Sequence, residues 1–417
     1  MSVHGERTVS DISVSLFSSA GIGDLGIQYG CELPVAVFSE LLPARANLIK
    51  SNFPNAIVVT GDIWEKVQEI VKSAKSKLSE THPKLITMSP PCQGMSSNGK
   101  GRLNNEIKKG KIPKYDQRNR LILPSLEVVE ELLPEYFLIE NAPSMMDTEI
   151  LQNDVPAKIG DVIEQRLSGN YKIYSFIQDF SKYGVPQSRI RSITIGKFTP
   201  NNESGISYFP PTWFDTGSVN EVITLRQALY RHTRTSKKDL YHQAVQHNPD
   251  LTNWITNIPK YSGMSAHFNS CEFCDAPAPE FRVVVCDNPS CGKPLPRPQK
   301  DGRAVSGFKT SYKRMEPDKP ASTVTLNSGG PSSDTQIHYS ENRTNTIREV
   351  MILMTFLYRI LSKKPYPWID KYNFDGHITK KQMLQGTNII RDAMGEAIPP
   401  LAMQRMVSSL FEWSDDE

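Results

Sequence analysis

The sequence has no apolar stretch near the roughly 18 residues needed to span a bilayer. Its start, Met-Ser-Val-His-Gly-Glu-Arg, lacks the charged-then-apolar layout of a secretory signal, so a cytoplasmic protein is expected. Charge imbalance is also missing. With 48 Lys and Arg against 45 Asp and Glu, the formal net of +3 is too small to imply a nucleic-acid partner, and any such partner must be argued from local patches. Internal repeats and long low-complexity tracts are absent. Cysteine is scarce and unevenly spread: of six, Cys271, Cys274, Cys286 and Cys291 lie close together, leaving only Cys31 and Cys92 elsewhere. Such a cluster in a chain without a signal reads as metal ligands before disulfides.

What is present is length and alternation. A chain of 417 residues points to about two domains, because single cores stop growing near roughly 250–300 residues. Over the first 200 residues, strand-like runs at 13–17, 35–39, 56–59, 85–88, 136–139, 173–177 and 192–195 alternate with helix-like segments at 64–78, 121–133 and 159–167. This predicts an α/β fold with a mostly parallel, doubly wound sheet covered by helices. The alternation stops near Pro200. Residues 201–344 are rich in Pro, Asn, Ser and Gly, hold the cysteine cluster and predict a smaller inserted domain. Helices are predicted again at 347–361 and 392–411, so residues 1–200 and 345–417 form the main domain.

Three features of the first half suggest chemistry. Phe17-Ser18-Ser19-Ala20-Gly21-Ile22-Gly23-Asp24-Leu25-Gly26 puts a glycine-rich turn after the first strand, and Glu40 ends the second. In a dinucleotide enzyme that acid holds the ribose diol; S-adenosylmethionine, which has a ribose diol but no pyrophosphate, suits the same geometry, and both readings stand at this point. Asp62 either meets an adenine amino group or caps the following helix. Met88-Ser89-Pro90-Pro91-Cys92-Gln93-Gly94 places a thiol on a stiffened loop at a strand's carboxyl end, where open α/β sheets keep their ligands; a buried structural cysteine is the competing reading. Residues 100–120 then carry eight Lys or Arg against Glu106 and Asp116, a basic patch or a solvated surface loop.

Taken together the motifs are similar to those of the C5-cytosine DNA methyltransferases. The glycine turn, Glu40, Asp62, Pro90-Pro91-Cys92-Gln93, Glu140-Asn141 and Gln187-x-Arg189-x-Arg191 resemble the family's successive motifs, in its order. Residues 312–325, Thr346-Ile347-Arg348-Glu349 and Gly395-Glu396-Ala397-Ile398-Pro399-Pro400 complete the resemblance. It implies S-adenosylmethionine as cofactor, held by Phe17, Gly21, Gly23, Glu40, Asp62, Ile63 and Pro90. It implies double-stranded DNA as substrate, with a cytosine rotated out of the stack. Cys92 would add to C6 of that base, Glu140 would serve ring N3, and Arg189, supported by Arg191 and Gln187, would bind the cytosine carbonyl oxygen. Gln93, Ser96, Lys100, Arg102, Lys108, Lys109, Lys111 and Arg118 would contact DNA. The chain departs from the family pattern in its lysine-rich tract at 104–114, in Ala142, and in Glu396 where the family usually has asparagine.

Cys271-x2-Cys274-x11-Cys286-x4-Cys291 supplies two close pairs of thiolates, the arrangement of a zinc ribbon with four protein ligands and no open catalytic position. His267 is a candidate substitute ligand. The cluster falls where the family keeps its target-recognition domain, and zinc would replace an apolar core there. A stand-alone, monomeric methyltransferase of the restriction-modification kind is expected, with a cognate endonuclease as its associated partner and the nucleoid as its place of work. A methyltransferase-like protein that only binds DNA is the second reading.

Overall fold

Two strands of the sheet are buried along their whole length, on both faces. A computed structural model describes residues 8–91, 115–217, 221–230, 235, 238–277, 280–305, 309–356 and 372–413. Among these, Val9–Leu16 (β1), Val35–Glu40 (β2), Ile57–Thr60 (β3), His82–Met88 (β4), Tyr136–Asn141 (β5), Tyr171–Asp179 (β8) and Ile190–Phe198 (β9) form one seven-stranded sheet, ordered β3-β2-β1-β4-β5-β9-β8. Every residue of β2 and β5 is buried, as expected of strands covered by helices on both sides. The pairs from β3 through β5 are parallel, and β9 runs antiparallel to both its neighbours. Strand order reverses between β1 and β4, which opens a crevice at their carboxyl ends. A hairpin of Glu149–Gln152 (β6) and Val155–Lys158 (β7) turns on Asn153 and Asp154, whose positive φ values of 50° and 63° suit a tight two-residue hairpin turn.

Helices cover both faces. Pro43–Asn52 (α1) has Pro at its first turn, and Ile63–Lys75 (α2) is capped by Asp62, whose carboxylate accepts from Trp64 N at 3.1 Å. On α2, Ile63, Val67, Ile70, Val71 and Ala74 are buried at helical spacing, each large aliphatic contributing about 1.5–3 kcal/mol. With Ile122–Leu132 (α3) and Ile159–Leu167 (α4), α2 covers one face of the sheet. The other face packs on α1 and on helices that come from the far end of the chain.

Between them, residues 201–344 hold little regular structure: the helices Leu225–Leu229 (α5) and Pro249–Thr256 (α6), and the two-residue strands Gln299–Lys300 (β10) and Arg303–Ala304 (β11). Phe214, Leu225, Met315, Ala321, Val324 and Tyr339 of this region join the large core under the sheet. Ile255, Ile258, Ala266, Tyr312 and Ile337 make a small core of their own. Beside that core the fully buried Arg314 donates to the carbonyls of His338, Glu341, Ile255 and Ile258 at 2.6–3.2 Å. One cation thereby ties together four backbone carbonyls, three of them in segments outside helices and strands.

The chain then returns to the sheet. Thr346 and Glu349 form a reciprocal capping box at the start of Ile347–Leu353 (α7), which ends at Leu353; residues 357–361 of the helix expected over 347–361 lie outside the described residues. After Lys380–Met383 (α8) come Ile389–Glu396 (α9) and Pro400–Phe411 (α10). The single helix expected over 392–411 is thus two, because Pro399 and Pro400 cannot continue a helix and the residue before a proline is pushed to extended backbone; Pro399, which precedes Pro400, has φ −57° and ψ 131°.

Candidate active site and cysteine cluster

The glycine turn after β1 is shaped for close packing. Gly21 has φ +71°, and Phe17 and Ser19 also take positive φ, of 58° and 50°, so the chain reverses sharply as it leaves the sheet. Gly26 has a different reason: a Cβ there would lie 2.1 Å from the Pro400 carbonyl oxygen. Gly23 faces the Ile398 carbonyl in the same way, at 3.3 Å. Two of the three glycines therefore admit the segment leading into α10, and cradle no phosphate.

The crevice between the ends of β1 and β4 is lined by Ser15, Phe17, Ser19, Asp24, Thr87, Ser89 and Glu396, and no Lys, Arg or His is among its described lining residues. Glu40, 6% exposed at the end of β2, accepts from Leu42 N at 2.9 Å. Burial pushes its carboxyl up, against the opposing pull of the Leu42 N–H and of Arg45. Arg45 itself forms an ion pair with Glu396. Three carboxylates and one already-paired guanidinium make this a poor seat for a pyrophosphate and a good one for a cationic ligand, which decides between the two cofactor readings. Asp62 is exposed and spends one oxygen on the α2 cap, while Ile63 packs into the core beneath the sheet.

At the neighbouring strand ends, Asn141 Nδ2 donates to the buried Pro90 carbonyl at 2.9 Å, and Asn141 Oδ1 accepts from Ala142 N at 2.7 Å. This side chain ties the Pro90-Pro91 segment after β4 to the end of β5, beside Glu140. Glu140 is 5% exposed, and Arg191 Nε approaches its Oε1 to 2.8 Å. The pair is close without hydrogen-bond alignment, so Oε1 has no hydrogen-bond donor among the described residues. Arg191 Nη1 is held by the Ile190 carbonyl at 2.8 Å.

Arg189 departs from the sequence expectation. It is 2% exposed and donates to the Val324 and Gly395 carbonyls at 3.1 and 3.2 Å. Gln187 is equally committed: Oε1 accepts from Val324 N at 3.0 Å, and Nε2 donates to Leu353 O at 2.8 Å. These two side chains hold residues 321–325 and the C-terminal helices onto β9, and Arg191 is the one that reaches Glu140. Arg118 pairs with Asp116, the cap of its own turn, at 2.6 Å. Cys92, Gln93, Ser96, Lys100, Arg102, Lys108, Lys109 and Lys111 lie outside the described residues.

Far along the chain, the sulfurs of Cys271, Cys274, Cys286 and Cys291 all lie within 4.8 Å of one another. Cys271–Cys291 and Cys274–Cys286 are 3.6 Å apart, too long for disulfides and close to the roughly 3.8 Å edge of a tetrahedron with 2.3 Å metal–sulfur bonds. A short hairpin presents Cys286 and Cys291, with Cys286 N donating to Lys293 O and Leu295 N to Val284 O, each at 2.8 Å, and a turn in which Asp275 N donates to Cys271 O presents the other two. The Phe273 N–H draws the Cys271 thiol down to about 7. Despite the Asn288 N–H, burial and the other sulfurs push Cys286 up to about 12. Four thiols so crowded cannot all ionise without a cation among them. Their apolar surroundings amount to Leu295 and Ala276, and Arg297, donating to Asn269, Glu280 and Val283 carbonyls, closes the base. His267, the candidate substitute, is not in this group of four; it is buried with Nε2 3.2 Å from Ser311 Oγ.

Asp24 and Arg45 were given no role from the sequence, and Asn141 was read only as part of the Glu140-Asn141 motif. The acid at Glu396 was the one available signal for Arg45, since a buried-side carboxylate calls for a cation.

Residues 12–411 match the sequence model of a family described as C-5 cytosine-specific DNA methylase. The chain is 27% identical over 412 residues to the type II methyltransferase M1.HgaI of Avibacterium volantium, covering 96% of this chain and 98% of that protein. It is 23% identical over 406 residues to the type II methyltransferase M1.HphI of Haemophilus parahaemolyticus, covering 97% and 87%. Its fold resembles that of the S. pombe Dnmt2 methyltransferase, with a TM-score of 0.52 at 15% identity over 96% of this chain and 98% of the other.

Proposed function

The chain belongs to the C-5 cytosine-specific DNA methylase family and is a DNA (cytosine-5-)-methyltransferase; from that premise we propose which residues carry its reaction. The observation with most weight is the Asn141–Pro90 hydrogen bond, which joins the strand bearing Glu140 to the segment that leads into Cys92. Cytosine C5 is a poor nucleophile. The Cys92 thiolate adds to C6 of a cytosine rotated out of a specific duplex sequence, while Glu140 holds a proton at N3, and C5 becomes an enamine carbon. S-adenosylmethionine, when bound, supplies the methyl group as an electrophile. Glu140 is placed for its task by the buried end of β5, and Arg191, beside it, is the guanidinium we assign to the base, with Arg189 and Gln187 as positioning residues. Phe17, Gly21, Glu40 and Asp24 border the cofactor, with Glu40 toward the ribose.

The cysteine cluster fits one Zn2+ held by four thiolates, a structural ion in a recognition module formed by the middle of residues 201–344. That module would read the duplex sequence, and the basic tract up to Arg118 would contact phosphates. The main domain would comprise residues 1–200 and 345–417. The nature of the type II relatives favours a monomer that works on chromosomal DNA in the cytoplasm beside a cognate endonuclease.

The test is a trap. Duplex DNA carrying 5-fluorocytosine at the target should form a covalent complex through Cys92 in the presence of S-adenosylmethionine, because fluorine at C5 cannot leave as a proton does. Cys92→Ala should abolish the adduct and methyl transfer while cofactor affinity stays within about twofold. An adduct that survives the substitution removes Cys92 from the mechanism. Bisulfite sequencing of DNA from cells expressing the protein identifies the target sequence.

A further inference from the structure

Asp24 sits inside the glycine turn, 4% exposed, and lines the crevice with Ser15, Ser19, Thr87 and Ser89. Its Oδ1 has no hydrogen-bond donor among the described residues, and the hydroxyl of Ser15 is the side-chain donor that favours its charge. A buried carboxylate without a cation is costly, and here the charged partners are spoken for. Arg45 is paired with Glu396, and the Tyr372 hydroxyl donates to the Ala20 carbonyl. Position adds to this. Glu40 marks the ribose side at the end of β2, whereas Asp24 lies between the ends of β1 and β4, where the chain departs toward Cys92. The reactive methyl must be presented there, and with it the sulfonium and the amino-acid group of the cofactor.

We infer that Asp24 is the counter-charge to the cationic amino-acid end of S-adenosylmethionine, and that cofactor binding drives a proton from Asp24 into solvent. The inference rests on the cofactor reading above. The carboxylic acid loses its proton to buffer, the carboxylate faces the ammonium, and no other group changes oxidation or bonding. Burial pushes Asp24 up to about 7 in the free protein, so at pH 6 it is mostly neutral. The cofactor's α-amino group, with an ordinary pKa of about 7.7–8.0, is already charged there. Binding selects ionised Asp24 and the charged amino group, so affinity rises as pH increases toward about 7 and falls again above about 8, where the amino group loses its proton. The other titratable groups at the crevice are Glu396, held by Arg45; Glu40, opposed by the Leu42 N–H; and Tyr372, which burial and the Asp24 charge keep neutral.

Isothermal titration calorimetry of the full chain with S-adenosylmethionine at pH 6, in two buffers of different protonation enthalpy, reads the proton directly. Close to one proton should be released at pH 6, whereas at pH 8.5 the cofactor's amino group, by then mostly neutral, should take up most of one, with affinity falling by nearly tenfold per unit below neutrality. Asp24→Asn, which keeps the shape, should bind at pH 6 without proton release and with affinity flat between pH 6 and 7; its melting temperature without cofactor reports that it has folded. Release that persists in Asp24→Asn, or wild-type binding that releases none, overturns the inference while leaving the cofactor assignment intact. Failure of the wild type to bind S-adenosylmethionine at any pH overturns the assignment itself.

Discussion

The sheet half and the cysteine module of this protein are held together by different physics. Under the sheet, β2, β5 and the buried faces of the surrounding helices form two large apolar cores, and polar side chains appear chiefly at strand ends, where the chemistry is. Around residues 269–297 the apolar contribution falls to a few side chains, and the backbone is held by Arg297 giving hydrogen bonds to carbonyls and by four converging sulfurs. Apolar burial tolerates local change because it is spread over dozens of residues. A module that hangs on one cluster and one guanidinium has few independent supports, and should fail as a unit.

The largest effect expected from that contrast is on the module. Apparent binding energies of structural zinc run at about 10–16 kcal/mol, so Cys274→Ser or a strong chelator should unfold the region around 269–297. Hydrogen exchange would show protection lost there and kept in β1 to β5, with specific DNA binding gone and S-adenosylmethionine affinity retained. Metal analysis should return about one zinc per chain. Protein purified without chelators and containing no zinc would break the comparison. Next in size is Glu140→Gln, a change within the sheet half that leaves packing untouched. Glutamine cannot supply a proton to N3, so single-turnover methylation should slow by about 10² to 10⁴, roughly 3–5 kcal/mol of barrier. Fluorescence of 2-aminopurine beside the target should still report base flipping. Parental rates in the variant would make Glu140 a structural residue. The smallest effect sharpens the idea of distributed stability. Gly26→Ala sets a methyl group against the Pro400 carbonyl and should cost about 1–3 kcal/mol, seen as a lowered unfolding midpoint with the transition still cooperative. Unchanged stability would show that α10 can move away freely.

The same contrast governs what the sequence disclosed. Strands β2 and β5 lie on apolar runs because burial on both faces leaves a continuous signature, while the strand ends run further than the runs do, into polar residues such as Glu140 and Asn141. The β6–β7 hairpin escaped notice because Val155–Lys158 is largely exposed and carries no periodic pattern. Sequence spacing could bring four cysteines together but could not show which arginine of Gln187-x-Arg189-x-Arg191 meets Glu140. Alternation along β9 is disturbed at its start, and carbonyls from residues 324 and 395, remote in sequence, claim Arg189. Asp24 was hidden for another reason. An aspartate in a glycine turn ordinarily faces water, and only the packing of α10 onto that turn buries it.

That packing also sets a clock. Gln404 donates to the Gly30 carbonyl across 374 positions of sequence, and Gly26 meets Pro400 directly. A ribosome adding about 5–20 residues per second leaves the glycine turn without this partner for roughly 20–75 s after the turn itself has emerged. During synthesis the first strands can assemble, but the cofactor crevice lacks the wall that Glu396 and Ile398 supply. A nascent chain is therefore expected to engage the cofactor only once it has been almost fully translated, and a chain truncated before α10 should be inert toward it.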